Sequence, residues 1–187
     1  MKKDIIEIMW LGRGGQGAIT AAKIVANAAF NSGYSGVVMA PTFGTERRGA
    51  PVFTSLKMSR EKIYDLSPIE KPDIAVVLDH LLLEEVPIVK GIKPGGTLIV
   101  NTPLSVDQYQ YAGIQTSVAD VTAIAVEAGL RPGIVNSGII GAFAKATGLV
   151  EMALLVEKIK GEFRQIKPEE NAMSAQMTYD RTVTGGR

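Results

Sequence analysis

Gly12-Arg13-Gly14-Gly15-Gln16-Gly17 constrains this chain more than any other stretch. It follows an apolar run, Ile5-Ile6-Glu7-Ile8-Met9-Trp10-Leu11, whose β-branched and aromatic residues suit a strand buried in a sheet. It precedes an alanine-rich segment, Ala18 to Phe30, in which Ile19, Ala22, Ala26, Ala29 and Phe30 fall on one helical stripe. A strand that turns through glycines into a helix leaves the first N–H groups of that helix without carbonyl partners. They point, with the positive end of the helix dipole, at whatever lies above the turn. The expected product is an anion cradle, to which Arg13 adds a mobile positive charge. The plainer alternative is a tight turn whose glycines only let helix and sheet pack closely.

Gly12, Gly14 and Gly17 satisfy the G-x-G-x-x-G pattern of dinucleotide-binding turns. That pattern also needs an acid at the end of the following strand, roughly twenty residues on, to hold a ribose hydroxyl. The following strand reads Gly36-Val37-Val38-Met39-Ala40-Pro41, and the first acid after it is Glu46. A triphosphate-binding loop fails as well, because no Gly-Lys-Ser/Thr follows the glycines.

A second candidate is the loop from Ala40 to Pro51, in which two prolines and two glycines bracket a charged triplet. Loops of this length inside compact domains are functional or disordered, and the strand-like Val52-Phe53-Thr54-Ser55-Leu56-Lys57-Met58 that follows argues for order. Its Thr45-Glu46-Arg47-Arg48-Gly49 core offers two guanidiniums to a phosphate or carboxylate, with Glu46 placed to orient one of them. The alternative is a solvated turn with a local ion pair.

Length and composition narrow the function. The chain has 187 residues, of which 46% are hydrophobic and 21% charged, enough for one domain with a sizeable core. A formal net charge of +1 gives no electrostatic case for nucleic acid or an acidic membrane surface. No apolar run is long enough to span a bilayer and no secretory leader is evident, so a cytoplasmic location is expected. Cysteine is absent, which removes disulfides, thiolate-held zinc, iron–sulfur ligation and a thiol nucleophile together. The single histidine, His80, cannot build a multi-histidine metal site; it follows Asp79, which reads as the N-cap of a helix beginning there.

Further along, Lys57 to Lys62 reads as a charged turn, Ile63-Tyr64-Asp65 as a possible extension of the sheet, and Ile74 to Leu78 as a buried strand. His80 to Lys90 reads as a helix broken at Pro87. Lys93-Pro94-Gly95-Gly96 turns the chain into a strand at Thr97 to Val100, and a weak strand follows near Ile114 to Val118. Asp120 to Ala128 and Val135 to Ala146 read as helices, the second with small residues at Ser137, Gly138, Gly141 and Ala142 that permit close packing. Met152, Leu155, Val156, Ile159 and Phe163 form an amphipathic stripe, and Pro168 opens a last helix through about Met177. About residues 180–187 are expected to form a loose tail or a partner-contacting arm. The alternation predicts an α/β fold, three layers deep, with a mostly parallel or mixed sheet and helices on both faces.

Gly12-Arg13-Gly14-Gly15-Gln16-Gly17-Ala18 and Thr45-Glu46-Arg47-Arg48-Gly49-Ala50-Pro51, at this separation, resemble the gamma subunit or gamma domain of the 2-oxoacid:ferredoxin oxidoreductases, the family that contains pyruvate:ferredoxin oxidoreductase. The Pro94-Gly95-Gly96 turn and Asn136 before Gly141 fall in the same order, so the resemblance spans nearly the whole chain. It implies one subunit of an enzyme that decarboxylates pyruvate or a related 2-oxoacid on thiamine diphosphate. The acyl group goes to coenzyme A, and electrons pass through iron–sulfur clusters to ferredoxin, or to NAD by way of a flavin subunit. It further implies alpha, beta and delta-type iron–sulfur partner subunits that hold those cofactors. On this resemblance the gamma chain is expected to carry no catalytic residue or metal of its own and to help bind coenzyme A, with Gly12 to Gly17, Thr45 to Gly49 and Asn136 as the candidate binding residues. Two rival readings are a stand-alone enzyme binding a dinucleotide or S-adenosylmethionine, and a purely structural subunit.

Overall fold

The computed structural model describes residues 5–41 and 48–185. Seven strands occur among them: β1 (Ile6–Arg13), β2 (Gly36–Pro41), β3 (Pro51–Ser59), β4 (Ile74–Val77), β5 (Thr97–Asn101), β6 (Gln115–Ala119) and β7 (Val183–Gly185). The helices are α1 (Ala18–Asn31), α2 (Leu82–Glu85), α3 (Ile88–Gly91), α4 (Val121–Glu127), α5 (Gly138–Thr147), α6 (Met152–Glu162) and α7 (Pro168–Arg181), with a 3₁₀ turn at Val106–Tyr109.

The strands make one mixed sheet in the order β2-β3-β1-β4-β5-β6-β7. β1, β4, β5 and β6 are parallel neighbours, whereas β3 lies antiparallel to both β1 and β2, and β7 antiparallel to β6. The alternation of β1 shows why it is central. Ile8 and Trp10 face the core shared with α1, α5, α6 and α7, while Leu11 faces the core formed with α2, α3 and the 3₁₀ turn. Trp10 meets Phe143 of α5 with ring centroids 5.5 Å apart, so the central strand and the helix layer are joined by the two largest fully buried side chains. The expected α/β architecture with helices on both faces is present, and the sheet is mixed.

One feature of the strand order bears directly on function. In a dinucleotide fold the strand after the first helix lies beside the first strand, and its terminal acid reaches the ribose. Here β3 occupies that place and pushes β2 to the edge of the sheet. The missing acid after β2 and the changed strand order exclude the same reading independently.

Four local expectations need correction. Ile63-Tyr64-Asp65 adds no strand to the sheet. β3 runs through Lys57 to Ser59 where a charged turn was expected, because Lys57 is the register partner of Glu7 and its ammonium, only 4% exposed with its residue, lies 3.5 Å from the Glu7 carboxylate. The last helix continues four residues past Met177 to Arg181, whose guanidinium closes a two-pronged ion pair with Glu127 of α4. The expected loose end is, over Val183–Gly185, the edge strand β7, with Thr184 hydrogen-bonded to Ser117 of β6. By contrast, the break at Pro87 appears as expected, with α2 ending before it and α3 starting after it.

The small residues of α5 serve close helix packing. A Cβ on Gly141 would overlap the backbone carbonyl of Ala175 in α7, and one on Gly138 would overlap Val121 and crowd Ser174. Gly141→Ala is therefore expected to destabilise the chain by about 1–3 kcal/mol, since backbone rather than a flexible side chain must move. Thermal or denaturant unfolding of the variant against the parent measures it, and an unchanged midpoint would refute the packing argument.

Candidate anion-binding site

β1 ends at Arg13 and α1 starts at Ala18, and the four residues between them turn the chain at the C-terminal edge of the parallel strands. Gly15 and Gly17 take φ of 97° and 80°, a region costly to residues with a Cβ, so two of the glycines are required by backbone geometry. Gly17 is the N-cap of α1, and the first N–H of the helix to find a backbone acceptor is that of Ala21, which donates to the Gly17 carbonyl at 3.0 Å. The N–H groups of Ala18, Ile19 and Thr20 meet no backbone acceptor among the described residues, which is the arrangement of an anion cradle.

The two candidate sequence stretches meet at this turn. The Gly14 N–H donates to the Ala50 carbonyl at 2.8 Å, and the Gly49 N–H donates to the Gly14 carbonyl at 3.1 Å. These bonds continue the ladder of β1 and β3, in which Arg13 pairs with Pro51, and they bring Arg48 to the mouth of the turn. A cavity of about 500 Å³ lies there, lined by Arg13, Gly14, Gly15, Gly17 and the first residues of α1 on one side, and by Arg48 and Val52 on the other.

Each expected site residue has a definite place or lies outside the described residues. Gly12 is buried where a Cβ would crowd Ala18 and Leu78. Gln16 folds back so that its Oε1 accepts from the Arg13 N–H at 2.8 Å; it lines a second cavity of about 670 Å³ with Asp79, His80, Asn101 and Asp120. Asn136, just ahead of α5, packs on Gly17 so closely that a Cβ there would lie 2.6 Å from its Nδ2. Arg48 and Gly49 are exposed, and Arg48 meets no carboxylate among the described residues. Thr45, Glu46 and Arg47 lie outside the described residues.

Arg13 differs from expectation. Its charge is not mobile: Nε donates to Asp79 Oδ2 at 2.7 Å and Nη2 to Glu85 Oε1 at 2.6 Å, while Nη1 reaches the Gly49 carbonyl at 3.2 Å. These bonds, Glu85 first and Asp79 second, hold the guanidinium above its ordinary pKa. Asp79 is likewise not the helix N-cap. α2 starts at Leu82 with Leu81 as its N-cap, and Asp79 bonds the Leu81 N–H through one oxygen and Arg13 through the other. His80 therefore precedes the helix. Glu85 was not singled out from the sequence, and no local signal could have done so, because it lies 72 residues from Arg13.

The Arg13 charge is thus outweighed by two carboxylates, which leaves the helix N–H groups and Arg48 as the donors at the cavity mouth that meet no carboxylate among the described residues. Among the described residues no three His, Asp or Glu side chains converge to hold a metal ion, and no helix is long and apolar enough to cross a membrane.

A family model for pyruvate ferredoxin/flavodoxin oxidoreductase matches residues 7–181. The chain is 43% identical over 183 residues to the pyruvate/ketoisovalerate oxidoreductases common subunit gamma of Thermococcus kodakarensis, covering 96% of this chain and 98% of that one. It is 40% identical over 179 residues to the pyruvate synthase subunit PorC of Methanocaldococcus jannaschii, again covering 96% and 98%. Its fold matches the crystal structure of the pyruvate oxidoreductase subunit PORC of Thermotoga maritima with a TM-score of 0.83 and 31% identity, covering 98% of this chain and 99% of that one. Motif spacing, sheet order and full-length similarity agree: the chain belongs to the pyruvate ferredoxin/flavodoxin oxidoreductase family, as a gamma-type subunit of an oxoacid oxidoreductase complex.

Proposed function

We propose that this subunit serves a thiamine diphosphate-dependent enzyme that oxidatively decarboxylates pyruvate or a related 2-oxoacid to an acyl-CoA, and that its own part is to hold phosphate of coenzyme A at the glycine turn. The observation that carries this reading is the convergence of Arg48 with the N–H groups of Ala18 to Thr20, which meet no backbone acceptor among the described residues, around one open cavity. Fixed backbone donors and a guanidinium suit phosphate oxygens, and neither is suited to breaking a carbon–carbon bond. Thiamine diphosphate supplies that chemistry, and alpha and beta subunits hold it, while a delta-type subunit carries the iron–sulfur clusters toward ferredoxin or, with a flavin subunit, NAD. The absence of cysteine in this chain fits that division.

The oxoacid itself is chosen elsewhere in the complex. Among the described residues the cavity at the turn offers Ile19 and Val52 as its larger apolar side chains, a sparse lining for an acyl group. A gamma subunit named as common to pyruvate and ketoisovalerate oxidoreductases supports the same separation of roles.

Two outcomes follow. In the assembled enzyme, Arg48→Ala should raise the KM for coenzyme A by about 10-fold or more, the loss of one charge-assisted phosphate contact, with little effect on the KM for the oxoacid. Steady-state kinetics with each substrate varied in turn checks this, and an unchanged coenzyme A KM refutes the site. Native mass measurement after anaerobic purification from the source should recover the chain in a larger assembly carrying thiamine diphosphate and iron–sulfur chromophores. A lone chain with bound NAD(H) would instead restore the dinucleotide reading.

A further inference from the structure

The Arg13 side chain donates to three partners at once, Asp79, Glu85 and the Gly49 carbonyl. Asp79, 66 residues away, holds Nε; Glu85, 72 residues away, holds Nη2 and touches Nη1 at 3.4 Å. Asp79 is itself fixed, because its second oxygen accepts from the Leu81 N–H at 3.0 Å. The remaining reach of Nη1 goes to the carbonyl of Gly49, the residue next to Arg48. Three separate segments, the glycine turn, the loop ahead of β3 and the stretch from the β4–α2 connection to the last residue of α2, are thus tied at a single guanidinium.

We propose that Asp79 and Glu85 are positioning residues that act through Arg13. They aim the guanidinium at the Gly49 carbonyl, so that residues 48–50 stay seated on the glycine turn and Arg48 is presented to the cavity before any ligand arrives. A flexible loop must lose conformational freedom on binding, and holding it in place beforehand removes that cost. Elementary electrostatics makes the claim sharp. Glu85 is a half-exposed carboxylate beside an anion site, 46% accessible at its side chain. If it acted only through its charge, removing it would strengthen anion binding. If it acts through the clasp, removing it weakens binding despite the gain in positive potential. The two accounts predict opposite signs.

The binding half of this proposal rests on the coenzyme A reading, whereas the positional half does not, and the experiment separates them. Glu85→Ala, Glu85→Gln and Asp79→Asn are made in the assembled complex. The KM for coenzyme A is measured together with amide hydrogen exchange across residues 14–16 and 48–51 in the absence of coenzyme A. The clasp predicts faster exchange at Gly14 and Gly49 in Glu85→Ala and Asp79→Asn. It also predicts a coenzyme A KM raised about fivefold or more in Glu85→Ala, less in Glu85→Gln, which keeps an acceptor, with kcat held within about twofold. Because Glu85 lies on a four-residue helix at the surface, loss of the fold is not expected, and normal assembly of the complex verifies that. A KM that falls or stays level in Glu85→Ala while Arg48→Ala raises it overturns the proposal. Should Arg48→Ala leave the KM unmoved, the coenzyme A reading fails. The clasp then stands or falls on exchange alone, and unchanged protection at Gly14 and Gly49 refutes it.

Discussion

The antiparallel pairing of β3 with β1 is the constraint on which the site depends. Register puts Pro51 opposite Arg13, so the loop entering β3 must arrive where β1 leaves the sheet. The hydrogen bonds between Gly14 and Ala50 and between Gly49 and Gly14 follow from continuing that ladder into the turn. A parallel neighbour in the same place would enter the sheet from the opposite end, and Arg48 would lie a strand's length from the helix N-terminus. The strand order that makes this site thus removes the usual ribose subsite as well.

Charge at the site is arranged differently from what its residues suggest in isolation. Arginine beside a glycine turn invites the view that the guanidinium itself receives the anion. With two carboxylates on it, Arg13 is better understood as a structural cation, and the part of the site around it is net negative. The groups left for an anion to meet are fixed N–H groups, whose dipoles need no counter-charge, and Arg48 at the rim.

Much of this was legible in the sequence where the cause is local. The β-branched run of β1, the glycines, the alanine-rich start of α1 and the break at Pro87 each follow from propensity or backbone geometry over a few residues. What escaped has causes far along the chain. β7 consists of Val183, Thr184 and Gly185, a segment too short for its β-branched residues to mark a strand, and it exists because β6 presents an open edge. Lys57 falls where the strand-like run and the charged turn overlap, and its pairing with Glu7 across the ladder explains a lysine inside the sheet. The Arg13 clasp is of the same kind, since Asp79 already had a satisfactory local role as a helix cap and nothing nearby hinted at a second partner.

The helix layer reaches the site through Asn136. Its close approach to Gly17 is possible only because that residue lacks a Cβ, and the same glycine supplies the left-handed backbone that starts α1. Asn136 is in turn placed by α5, which begins two residues later, and α5 is seated on α7 where Gly141 lets the two backbones approach. α7 then leads into β7 and is tied to α4 by the Arg181–Glu127 pair. Gly17 is therefore held from both sides, by the β1–β3 ladder on one and by the packed helices on the other. An anion cradle built from backbone can be no more rigid than the turn that forms it. In this chain that rigidity is supplied by two layers that share almost no sequence neighbourhood.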